Sequence, residues 1–238
     1  MPPWVETVWI DNPPVNTITE AVAAAVSAAL EGLDSDTRVV VLRGKGEKAF
    51  SAGADLKAIR GDGSPPVGIQ PLADLIESLS VPVVAAIHGH CLGGGLEIAL
   101  ACDLRVAHSG AGLALPEVKL GLIPGGGGTQ RAPRLIGPGR AAWLTMSGER
   151  LTAAEAERWG LVEFVVGDLD EGIERIAGTI AAQSPNSVRE LKRLLRATRD
   201  QESDKLELEA FARCVRSEDG REGVAAFLEK RAPSWAAR

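Results

Sequence analysis

VPVVAAIHGHCLGGGLEIALACDLRVA, residues 81–107, is the stretch on which the fold turns. Residues 81–87 form a short, continuous apolar run, as in a strand buried on both faces. Three glycines then open a run of leucine, isoleucine and alanine, so residues 93–101 read as a short buried helix. Residues 104–107 read as the next strand. Within residues 81–101 stands one carboxylate, Glu97.

On the N-terminal side, residues 5–10 and 39–43 are rich in β-branched side chains and predict strands. Residues 19–33 between them predict an alanine-rich helix with Thr19 as its N-cap. Residues 44–55 read as a loop, and 60–71, dense in glycine and proline, as a mobile surface loop. On the C-terminal side, 135–146 predicts a helix. Thr152 and Glu155 have capping-box spacing, Gly160 suits a helix end, and 162–166 predicts a last short strand. Beyond residue 169 the pattern is helical, over 170–183, 185–198, 201–216 and 218–230. Strands alternating with helices and followed by a helical tail predict an α/β core, residues 1–180, and a helical C-terminal lobe, 181–238.

The chemistry concentrates in a few places. Glu117 lies twenty positions after Glu97, in Leu115-Pro116-Glu117, just ahead of the glycine run 125–128. A carboxylate among apolar residues and glycines is costly to bury ionised, and its pKa shifts accordingly. Two such groups facing one cavity can divide the roles of general acid and general base. Read singly, each is a structural carboxylate that caps a glycine-rich turn or pairs with Arg105, Lys119 or Arg131; it is their joint setting beside two oxyanion donors that points to catalysis. The small-residue segment 49–56 and the helix start at Gly93, Gly94 and Gly95 both offer peptide N–H groups to a developing oxyanion; the alternatives are an ordinary tight turn for the first and a helix packed tightly against a neighbour for the second.

Other sites fit less well. The run 125–128 continues Thr129-Gln130 in place of Lys-Ser/Thr, which fails the P-loop pattern. His88 and His90 alternate as two ligands on a strand end would, but His108 is the one other histidine, so no metal site is predicted. Cys91 with a histidine lacks the nucleophile-elbow context.

Bulk properties set the frame. A chain of 238 residues, 45% hydrophobic and 24% charged, is long enough for a substantial core. The formal charge of −6 argues against a general nucleic-acid surface. Three cysteines without metal-type spacing read as reduced thiols in a cytoplasmic-type compartment. The N-terminus reads as neither signal nor transit peptide, and no apolar run approaches a membrane span.

The motifs together resemble a known family. AFSAGADL at 49–56, the stretch 81–107, LPEVKLGLIPGGGGTQR at 115–131, LTAAEAERWGLV at 151–162 and SEDGREGVAAFLEKRAP at 217–233 resemble the enoyl-CoA hydratase/isomerase family, with its crotonase fold, from about residue 5 to 235. The resemblance implies a spiral of ββα units with a helical C-terminal lobe. It implies an oxyanion hole from the N–H groups of Ala52 and Gly94, and Glu97 activating a water that attacks C3. Glu117 would deliver the proton to C2, and Gly125 would help place the water.

For the CoA thioester the resemblance points to Ser51, Ala52, Ala54, Asp55, Leu56, Lys57, Gly93 and Gly94. Phe211 and Lys230 would come from a neighbouring subunit, implying a homotrimer or dimer of trimers. No cofactor beyond the CoA of the substrate and no metal is implied. The expected reaction is hydration of trans-2-enoyl-CoA, with 3,2-enoyl-CoA isomerisation or dehydration of a specialised acyl-CoA as alternatives. A non-catalytic CoA-sensing or RNA-binding relative is the reading of a different class, disfavoured by the acidic charge and the intact glutamate pair.

Overall fold

The computed structural model describes residues 4–57, 68–183, 185–196 and 218–231, together with 212, 215 and 216. Its main sheet is parallel and five-stranded, in the order β1 (Val5–Ile10), β2 (Val39–Gly44), β4 (Val83–Ile87), β6 (Leu104–His108) and β9 (Phe164–Val166). A second sheet contains β3 (Ala49–Ser51), β5 (His90–Leu92), β7 (Gly112–Ala114) and β8 (Leu151–Thr152), with only β8 antiparallel. All five residues of β4 are buried, as its unbroken apolar run requires.

The chain repeats one manoeuvre. From β2 to β3, β4 to β5 and β6 to β7 it leaves the main sheet and enters the second after a few residues. Because β3, β5 and β7 are parallel neighbours, their C-terminal ends emerge on one side. Those ends lead into Ala52, Gly93 and Glu117, so topology alone gathers the three predicted motifs.

Helices cover both faces of the main sheet. α1 (Glu20–Glu31), capped by Thr19, buries Ala23, Val26 and Leu30, and α6 (Leu169–Ala181) packs on a second cluster with Val39, Val41, Val84 and Val106. Each valine and leucine among these contributes about 1.5–3 kcal/mol on full burial. α3 (Gly94–Ala101) is buried along its whole length, and α2 (Ile69–Ser78) packs beside it. α5 (Ala153–Trp159) begins at the expected capping box and ends at Gly160. α7 (Pro185–Arg196) is tied down by Lys192, whose Nζ reaches Val81 O at 2.7 Å and Asp103 at 2.9 Å.

Several boundaries differ from expectation. Residues 44–55 contain β3, and the expected loop 60–71 gives way to α2 at Ile69, while 58–67 lie outside the described residues. The helix expected at 135 begins at Gly128: α4 (Gly128–Ser147) passes through a kink at Gly137, directly before Pro138. The expected helix 201–216 lies almost wholly outside the described residues, as does Phe211. The last helix, α8 (Glu218–Leu228), packs on its own chain's 3-10 turn at Glu117–Leu120. Among the described residues no helix is long and apolar enough to cross a membrane.

Candidate active site

Ala52, Gly53, Ala54, Gly93, Gly94, Glu97, Glu117 and Gly125 line a single cavity of about 220 Å³. Leu56, Ile69, Leu92, Leu120, Leu122 and Phe227 complete an apolar wall. Glu97 projects from the first turn of α3, and Glu117 opens the 3-10 turn that follows β7.

Glu97 is 2% exposed, and its Oε1 accepts the N–H groups of Gly126 at 2.7 Å and Gly128 at 3.0 Å. Its Oε2 lies 2.7 Å from where a Cβ at Gly126 would stand. Burial raises the Glu97 pKa above the usual carboxylate range, while the two N–H donors and the Arg131 charge pull it part of the way back. Glu117 is half-buried, and its Oε1 lies 2.8 Å from where a Cβ at Gly93 would stand. The suggested cationic partners are engaged elsewhere: Arg105 with Glu163, Lys119 with Glu149 at 3.0 Å, and Arg131 with Glu77 at 3.0 Å.

A raised pKa has a consequence for stability. The folded value lies above the unfolded one, so the contribution of Glu97 is complete in acid and lost as pH rises through the folded pKa. Glu97→Gln removes that titration. In thermal melts across pH, the variant is therefore expected to gain on the wild type as pH rises. A gain of a few degrees would correspond to about 1 kcal/mol in a chain of this size.

The oxyanion assignment needs a correction. The Ala52 N–H donates to Val15 O at 2.9 Å and so is not available to a ligand. The N–H that faces Gly94 belongs to Ala54, whose nitrogen is 3.5 Å from where a Cβ at Gly94 would stand. Neither the Ala54 nor the Gly94 N–H meets an acceptor among the described residues. Gly94 heads α3, where a helix leaves its first N–H groups unsatisfied.

Segment 12–18 sets this arrangement: Val15 O takes Ala52 N–H, Asn16 O takes the Ser51 hydroxyl at 2.6 Å, and Ile18 bridges Ala54. Asn16 is itself fully buried and donates to Lys45 O and Ala49 O. Sequence reasoning missed this support, although the polar residues of Asn12-Pro13-Pro14-Val15-Asn16, set between a strand and a helix, were a signal for it.

Other candidates also move. Ser51 is fully buried, supports the Gly53 N–H at 3.1 Å, and lines no part of the cavity. Asp55 turns its carboxylate to the Lys57 N–H, so it is a loop-stabilising residue. Lys57 and Lys230 are exposed and off the cavity wall, each close in sequence to a lining residue, Leu56 and Phe227. Phe227 lies on α8 of the same chain, so this helix covers part of its own chain's cavity. His90 Nδ1 pairs with Arg150 at 2.6 Å, and no three His, Cys, Asp or Glu side chains gather as a metal-binding set among the described residues.

Known proteins resemble this chain along nearly its full length. The family model for enoyl-CoA hydratase/isomerase matches residues 4–238. A "probable enoyl-CoA hydratase" of Bacillus subtilis is 39% identical, covering 98% of this chain and 95% of its own. A carnitinyl-CoA dehydratase of Salmonella typhi is 37% identical over 96% of this chain and 94% of its own. The crystal structure of an enoyl-CoA hydratase from Mycobacterium avium subsp. paratuberculosis superimposes with a TM-score of 0.88 at 30% identity, covering 98% and 96% of the two chains. With the ββ passages, the glycine-headed α3 and a match along nearly its full length, the chain belongs to the enoyl-CoA hydratase/isomerase family, and its fold is the crotonase fold.

Proposed function

We propose that the protein adds water reversibly, and syn, to a trans-2-enoyl-CoA, giving the 3-hydroxyacyl-CoA. One observation carries the reading: two carboxylates from different strand ends line one cavity with two N–H groups that have no acceptor among the described residues. The thioester oxygen would sit on the Ala54 and Gly94 N–H groups, which stabilise the enolate as charge moves onto it. Glu97, whose carboxylate form the Gly126 and Gly128 N–H groups favour, takes a proton from the water that attacks C3. Glu117 gives a proton to C2, and the Gly125 backbone helps to hold the water between the glutamates. No metal or redox group enters this scheme, because the thioester itself acidifies C2.

Lys57 and Lys230 are placed in this proposal at the CoA phosphates, each beside a cavity-lining segment. Assembly as a trimer or dimer of trimers belongs to the same proposal and rests on the family resemblance alone. Dehydration of carnitinyl-CoA, the reaction named for the 37% identical relatives, would use the same groups in reverse. Against it, the described wall offers a quaternary ammonium only one aromatic, Phe227, and no carboxylate beyond the reacting pair.

A thioester panel tests the choice. Purified protein is expected to turn over 2-enoyl-CoA substrates faster than their 3-enoyl isomers and faster than carnitinyl-CoA. A preference for 3-enoyl substrates would assign it as an isomerase, and one for carnitinyl-CoA as a specialised dehydratase.

A further inference from the structure

Among the described residues the hydrogen bonds that hold Glu97 come from backbone, and that backbone is a run of glycines with no side chains to fix its shape. Its two donors, Gly126 and Gly128, flank Gly127, which adopts φ +98. An arginine reaches into this turn from α4. Arg131, the fourth residue of α4 and only 3% exposed, folds back so that Nη1 donates to Gly126 O at 2.6 Å.

The other edge of the guanidinium faces α2. Nε donates to Glu77 Oε1 and Nη2 to Glu77 Oε2, both at 3.0 Å, the parallel two-bond geometry that fixes an arginine plane. Nη2 also reaches Asp74 at 3.3 Å. Room for this fold-back exists because residue 127 is glycine: an added Cβ there would overlap Arg131 Nη1. The same α2 places Ile69 over the backbones of Gly94 and Gly126, where a Cβ on either glycine would overlap it.

We propose that Arg131 is the positioning residue of this site: it clamps the 126–128 turn to α2 and thereby keeps both N–H donors aimed at Glu97. The inference rests on the reading of Glu97 as the general base. The charged groups facing Glu97 are Arg131 from α4, with Asp74 and Glu77 of α2 behind it, and Glu117 from across the cavity. The Arg131 charge acts in the same direction as the donors, favouring the carboxylate form.

The test pairs kinetics with a direct titration. In Arg131→Gln, kcat is expected to fall about 10²-fold, the scale for a misplaced reacting group. The acid limb of kcat/KM should move to higher pH, since a base with a raised pKa ionises later. Arg131→Lys keeps the charge without the planar fork, so its kcat should fall with less movement of the limb. Glu77→Gln, useful if the arginine variants do not fold, should lower kcat and move the limb to lower pH, because it removes a negative charge behind Arg131.

The Glu97 carboxyl, assigned by infrared difference against Glu97→Gln, should follow the same shifts in free protein. An infrared titration and pH limb unmoved in every variant, with activity falling only as the folded fraction falls, would overturn the role of Arg131. Absence of hydration by the wild type would instead defeat the reading of Glu97, and the infrared titration would still decide Arg131.

Discussion

Glu117→Gln is expected to lower the hydration of crotonyl-CoA by about 10²- to 10⁴-fold, the usual worth of one general acid–base group. Glutamine has the same shape and keeps an acceptor oxygen, so the packing against Gly93 should survive, and with it the melting temperature. What glutamine cannot do is carry a proton to C2 and take it back. The loss should therefore fall on kcat more than on KM, because thioester binding depends on the two N–H groups and the apolar wall. Steady-state kinetics at several pH values on folded variant would measure it. Turnover close to wild type would mean that one carboxylate suffices, as in a proton-shuttling isomerase.

The second large effect belongs to Ala54. Ala54→Pro deletes one peptide N–H from the cavity while leaving the neighbouring bonds, Ile18 N–H to Gly53 O and Asp55 N–H to Ile18 O, formally intact. Loss of an oxyanion donor costs about 10²- to 10³-fold in kcat. The matched control is a 3-hydroxyacyl-CoA binding assay. Binding should weaken far less than turnover, because the charge that the N–H stabilises is fully developed only in the enolate. If turnover is unchanged in a folded Ala54→Pro variant, the donor lies elsewhere on the loop. The structure argues against Ala52, whose N–H is held by Val15 O.

The difference between Ala52 and Ala54 marks where sequence reading ends. The small-residue loop and the triple glycine were legible because exposing backbone N–H groups needs small side chains, and few other tasks favour such clusters. Which N–H of the loop points into the cavity is decided by segment 12–18, which captures one donor and leaves the other free. That is a contact between distant parts of the chain, and no local pattern encodes it.

The same limit applies to the secondary structure. β4 and α3 were legible as long apolar runs, whereas β3, β5 and β7 have three residues each, too few to display an alternation. α2 was hidden by Pro71, which read as a break although a helix tolerates proline in its first turn; its apolar residues Ile69, Leu72, Ala73 and Ile76 do keep helical spacing. α4 was shortened by Pro133 and by the kink at Gly137. Arg131 was visible as a candidate partner of the glutamates. Its role as a clamp could not be seen, because Glu77 lies 54 residues away in sequence.

The proposed chemistry of this cavity is the addition of water across an activated double bond. The most direct measurement incubates the wild type with trans-2-butenoyl-CoA in ¹⁸O-labelled deuterated water and analyses the product by mass spectrometry. The account predicts 3-hydroxybutyryl-CoA carrying labelled oxygen at C3 and deuterium at C2, both reduced together in Glu117→Gln. Recovery of the folded wild type with unlabelled substrate, or with deuterium but no labelled oxygen, would contradict it.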